Sequence, residues 1–95
     1  MPNRIEGTVS SISHNGALIT DISIESLENV PTGETTQIKF GDFETFGLFP
    51  NEHQQPDATM VAFLGDTGFL EIEIVGISLA DMLGVRQGES VVVKW

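Results

Sequence analysis

The sequence has no cysteine and only four basic residues among 95. Without cysteine there is no disulfide, no thiolate nucleophile and no cysteine-ligated zinc site; this absence does not decide the compartment. No apolar run approaches the roughly 20 residues a membrane helix needs. The N-terminus MPNRIEGTVSS also lacks the apolar core of a signal peptide. The expectation is therefore a soluble, cytoplasmic protein that makes no membrane contact. The cations Arg4, Lys39, Arg86 and Lys94 are scattered along the chain and define no patch, while fourteen acidic residues bring the net charge to −10. Such a field repels phosphate backbones, which argues against nucleic-acid binding.

What is present is one domain, residues 1–95, with six Phe, one Trp and many Ile, Leu and Val to build a modest core. A Met start with strand pattern close behind fits a complete small protein and an excised domain equally well.

The most informative stretch is Val61 to Gly84, VAFLGDTGFLEIEIVGISLADMLG. Val61 to Leu64 is a near-continuous apolar run, as in a strand covered on both faces. Gly65-Asp66-Thr67-Gly68 is a turn. Phe69 to Val75 then alternates, with Leu70, Ile72 and Ile74 on one face and Glu71 and Glu73 on the other. Ser78 is placed to cap a helix from Leu79 to Leu83, with Asp81 in its first turn and Gly84 ending it.

Elsewhere, Arg4 to Ser13 reads as a first strand, with Gly7 marking a bulge or a close packing contact. His14-Asn15-Gly16 is a hairpin signal leading into Ala17 to Ile22. Ser23 to Gly33 reads as a loop with one helical turn at Ile24 to Leu27. Thr35 to Phe40 and Phe43 to Phe49 are a third and a fourth strand, Pro50 to Asp57 is a polar loop, and Glu89 to Trp95 is the last strand. The fold expected is all-β: a small closed or partly open barrel of about seven strands with one short helix, because turn signals recur about every eight to twelve residues and closure removes exposed edges.

Candidate chemistry is sparse. Glu71 and Glu73 share a strand face about 7 Å apart, but ordinary amphipathic alternation accounts for them. His14 and His53, with Glu52 or Asp57, lack metal-ligand spacing. Ser10, Ser11 and Ser13 beside His14 have no orienting third group. Gly65 to Gly68 lacks the further Gly, the Lys and the long helix of a phosphate loop. Neither catalytic nor metal-binding residues are assigned. Phe43 and Phe46 fall on opposite faces of their strand, so an exposed Phe beside Leu48 would form an interaction patch.

Four stretches together resemble the C-terminal β-barrel domain of the S-adenosylmethionine hydroxide adenosyltransferases, the family that includes the fluorinase and chlorinase enzymes. They are GTVSSISHNGALITDI from Gly7, the Glu44-Thr45-Phe46 strand, GDTGFLEIEI from Gly65 and SLADMLGVRQGESVV from Ser78. The resemblance implies a ligand edge at Asn15, Asp66, Thr67 and Ser78, with S-adenosylmethionine or adenosine as the ligand. Several side chains depart from the family's pattern. Asn15, Gly16 and Ala17 replace an aromatic-Gly-Asn turn, Asp21 stands where the family has Asn, Asp66 where it has Ser, and Val75 where it has Asn. The family's N-terminal domain, which carries the water-activating Asp, Arg and His, has no counterpart in these residues. The resemblance with these departures points to a non-catalytic interaction or scaffold protein with a protein partner or self-association. The alternatives are a residual adenosine or S-adenosylmethionine binding module, or the C-terminal half of a split adenosyltransferase.

Overall fold

The computed structural model describes residues 3–31, 35–50 and 54–95. In chain order the elements are β1 (Arg4–Ile12), β2 (Leu18–Ser23), a 3-10 turn (Ile24–Leu27), β3 (Gln37–Phe40), β4 (Phe43–Phe46), β5 (Leu48–Phe49), β6 (Met60–Leu64), β7 (Phe69–Ile74), α1 (Leu79–Leu83) and β8 (Ser90–Lys94). The strands form one sheet in the order β4-β3-β8-β1-β2-β7-β6-β5, curled into a nearly closed barrel. Its ladders are antiparallel except for the short parallel pair β5–β6.

The two outermost strands, β4 and β5, come from one continuous segment, which the sequence pattern reads as a single strand. Gly47 divides it. Its φ of +94° lies in the left-handed region that side chains avoid, and its N–H donates to the Thr36 carbonyl at 2.8 Å. Before Gly47 the segment pairs with β3; after it, Leu48 and Phe49 pair with β6. The break also changes which side chains face inward. Strict alternation puts Leu48 with Phe46 on the outside, but Leu48 is fully buried while Phe46 is exposed. Phe43 is half-buried against the core, its ring 5.9 Å from that of Phe40. The patch expected from Phe43, Phe46 and Leu48 therefore reduces to Phe46.

β1 is the strand around which the sheet bends. Arg4 to Thr8 pair with β8, whereas Val9 to Ile12 pair with β2, with a bulge between Val9 and Ser11. Just before the bulge, a Cβ on Gly7 would lie 2.4 Å from Asp21 Oδ1 and 2.6 Å from Ile22 Cγ1. The glycine is thus a close-packing site, and the bulge falls two residues later. Asp21 uses the same approach: its carboxylate accepts from the Thr8 N–H at 2.8 Å and from the Thr8 hydroxyl at 3.2 Å.

The barrel interior is one cluster, in which Leu18, Ile38, Phe40, Leu70, Ile72 and Leu79 are fully buried. β6 is covered on both faces, as its unbroken apolar run predicts: Ala62 joins the interior, while Val61 and Phe63 are buried opposite Glu73 and Glu71. β2 leaves β7 through a register shift between Ile19 and Ser23. The fully buried Thr20 repairs that gap, its hydroxyl donating to the Leu70 carbonyl at 2.8 Å and accepting from the Ile22 N–H at 3.2 Å.

Strand pairing brings cations that are far apart in sequence near one another, with acids between them: Glu6 lies opposite Val92 and Glu44 opposite Lys39. Arg4 lies directly opposite Lys94 across β1 and β8, and Lys39 projects from the adjoining β3. Residues 35 to 90 positions apart in sequence become neighbours because β8 returns between the first and third strands.

Two substitutions test this packing. Gly7→Ala is expected to destabilise by about 1–3 kcal/mol through overpacking. Thr20→Val is expected to cost about 1–3 kcal/mol by stranding a buried carbonyl and N–H. Thermal unfolding checks both, since about 1 kcal/mol shifts the midpoint of a domain this size by roughly 4–8 °C.

Candidate functional site

The site begins at the β1–β2 turn. Gly16 adopts φ +88° and donates to the Ser13 carbonyl at 2.9 Å, while the Ser13 hydroxyl accepts from the Ala17 N–H at 3.0 Å and donates to Asn15 Oδ1. The Asn-Gly signal thus yields a tight turn whose Asn is tied to its own loop. At the same end of the barrel β7 finishes in a turn, the Ile77 N–H donating to the Ile74 carbonyl at 3.0 Å. Ser78 follows as the N-cap of α1, its Oγ accepting from the Asp81 N–H at 3.3 Å, and Gly84 ends the helix at φ +70°.

These two loops lock together. The Ala80 N–H donates to the Gly16 carbonyl at 3.0 Å, and a Cβ on Gly16 would fall 1.9 Å from Ser78 Oγ. The glycine permits both the left-handed turn and the contact. Between the loops is a cleft of about 220 Å³ lined by Asn15, Ala17, Glu73, Ile74, Gly76, Ile77 and Ser78. It offers an amide, a hydroxyl and one carboxylate beside exposed apolar surface from Ile77. Such a set can hold a small polar or cationic group. Among the described residues no cluster of three His, Cys, Asp or Glu is arranged to hold a metal ion. His53 and Glu52, invoked with His14 and Asp57 for a metal site, lie outside the described residues.

Of the four residues on the expected ligand edge, the structure brings Asn15 and Ser78 together at this cleft. Asp66 and Thr67 lie at the opposite end of β7, in the β6–β7 turn closed by bonds between Gly65 and Phe69 and between Gly68 and Gly65. The separation along the strand is about 20 Å. Only an extended ligand lying along β7 would bridge both pairs. Two carboxylates mark that path. Glu71 accepts from the Thr67 hydroxyl at 3.1 Å, and Glu73 lines the cleft. Both glutamates are half-buried, so neither sits on a fully solvated strand face. Glu73 and Ile77 were not on the expected edge. Their signal was the short Val75-Gly76-Ile77 link between a strand and a helix cap, which forces the end of β7 against the cap.

Barrel, α1 cap and interlocked turn together define a small β-barrel domain that presents a shallow cleft at one end. The chain matches the model of the SAM hydroxide adenosyltransferase C-terminal domain over residues 7–92, and it belongs to that family. No curated protein matches it. Among solved structures it is similar to an uncharacterized conserved protein from Thermotoga maritima, with a TM-score of 0.76 and 18% identity over 95% of this chain and 35% of that one. It is also similar to a conserved hypothetical protein from Thermus thermophilus, with a TM-score of 0.68 and 25% identity over 93% of this chain and 32% of that one. The chain therefore spans about a third of the length of these structural relatives.

Gly16→Ala is expected to cost at least about 2 kcal/mol, because it combines a left-handed φ with a hard contact. Ser78→Ala, which removes only the cap, is expected to cost about 1 kcal/mol. Urea midpoints of the two variants check the order; an equal or smaller loss for Gly16→Ala would rule out the interlocked loops.

Proposed function

We propose that this barrel is an interaction module, not a catalyst in its own right, and that it docks a protein partner through the end bearing the Asn15–Ser78 cleft. The observation that carries this reading is how the polar groups there are used. The Asn15 carbonyl is held by Ser13, the Ser78 hydroxyl caps α1, and the Gly16 carbonyl is taken by Ala80. Two large apolar side chains stand exposed at this end: Ile77, which lines the cleft, is 40% exposed, and Met82, one helical turn beyond Ser78, is 62% exposed. Exposed apolar side chains rimmed by polar groups are typical of a protein-contact surface.

A second reading is a residual S-adenosylmethionine or adenosine module. It is favoured by one observation, the row Thr67, Glu71, Glu73 and Ser78 along β7, whose carboxylates would suit an extended cationic ligand.

An amide-resolved NMR titration with S-adenosylmethionine, adenosine and methionine in turn separates the two. The docking reading expects no saturable shifts at millimolar ligand. Saturable shifts confined to 13–20, 65–68 and 73–78, lost on Glu73→Gln, would replace it with the ligand-binding reading.

A further inference from the structure

α1 stands between two clefts. Ser78, its N-cap, lines the 220 Å³ cleft described above, and Leu83 and Gly84, at its other end, line a second of about 360 Å³. Leu79 anchors the helix in the core, which leaves Asp81 and Met82 on its exposed face. We propose that this face receives a basic amphipathic segment of a partner protein, with apolar side chains on Met82 and Ile77 and Lys or Arg side chains in the clefts at either end. The inference rests on the docking reading above and adds the partner's chemistry to it. The five-residue helix is about 8 Å long, so a segment of two or three turns spans both clefts.

Charge complementarity selects that occupant. Five carboxylates surround the helix, each from a different part of the chain. Glu73 lines the first cleft, and Asp57 stands beside it, 3.5 Å from where a Cβ on Gly76 would lie. Asp81 is on α1 itself, and Asp42 and Glu89 line the second cleft. The β3–β8 ladder places the last two across from each other. It runs through Phe40↔Val91, then the Gly41 N–H donates to the Ser90 carbonyl at 3.3 Å, and Asp42 and Glu89 come next. Glu89 shares the parity of the buried Val91 and Val93, not that of Lys94. It therefore turns toward the barrel mouth and away from the mixed-charge outer face of β8. Asp42, Asp57, Asp81 and Glu89 have no ion-pair partner among the described residues. Among those residues neither cleft is lined by Lys or Arg. The cationic and titratable groups on the adjoining turns are Arg86, two residues past Gly84, and His14 before Asn15; both are exposed.

The second cleft suits the end of a long basic side chain. Its two carboxylates meet the charged head, the ring of Phe43 lies beside them, and Leu83 offers apolar surface to the methylene stem. A cation there also removes the repulsion that like charges facing across a ladder carry. Met82, flexible and polarizable, adapts to apolar side chains of varied shape. A second copy of this chain is a poor occupant, because at net charge −10 it would set acid against acid.

The test titrates the 95-residue chain with a synthetic amphipathic Leu/Lys peptide, a Leu/Gln peptide of the same pattern, and oligolysine, followed by amide-resolved NMR. Saturable shifts at 41–43, 76–85 and 89 are expected with the Leu/Lys peptide alone. Met82→Gln should weaken that binding about tenfold. Asp42→Asn combined with Glu89→Gln should weaken it about fivefold and flatten its salt dependence. These side chains are exposed or half-buried, so the variants should keep dispersed spectra. Equal binding of the Leu/Gln peptide at this surface would overturn the basic partner and leave the docking reading intact. Equal binding of oligolysine, or Leu/Lys binding indifferent to these substitutions, would reduce the effect to general charge attraction and overturn the proposal. No shifts with any peptide would overturn it as well. Saturable shifts with S-adenosylmethionine in place of the peptides would remove the docking reading itself.

Discussion

The structure depends on one segment that supplies both edges of a nearly closed barrel. A sheet of this size with two bare edges would present unpaired N–H and C=O groups on both sides. Here both outermost strands belong to Phe43–Phe49, and Gly47 lets the chain leave the β3 ladder and join β6 within a single residue. That junction also delivers Leu48 to the interior. The cleft end follows from the ladder order: β2 lies between β1 and β7 and runs antiparallel to both. β7 and β1 therefore finish at the same end of the barrel, where their loops meet.

Much of this was legible in the residues. The helix from Leu79 to Leu83, with Ser78 as cap and Gly84 as stop, is read correctly because capping is local chemistry. The single helical turn at Ile24 to Leu27 and the hairpin at Asn15-Gly16 are local in the same way. The break at Gly47 was not legible. Phe43 to Phe49 alternates well enough for one strand, and nothing in its own sequence says that its halves pair with strands on opposite sides of the sheet. The strand count thus moves from about seven to eight.

The same limit governs the surfaces. The cations look scattered because their grouping is set by where β8 inserts, a long-range property with no local signature. Of the four positions expected at a ligand edge, two share a space. Asn15 and Ser78 converge because Gly16 packs on Ser78, whereas Asp66 and Thr67 lie at the far end of β7. Family resemblance identified positions; the fold determined which of them share a space.

The central claim is that the cleft end is a rigid, internally satisfied surface built on the Gly16–Ser78 lock. Native-state amide hydrogen exchange tests it most directly. The Ala80 N–H, bonded to the Gly16 carbonyl, and the Asp81 N–H, bonded to Ser78 Oγ, should exchange only with global unfolding, as slowly as the amides of Val91 and Val93 in the central strand. If they exchanged by local opening while Val91 and Val93 stayed protected, the end would be a mobile, openable site and the docking account would fail.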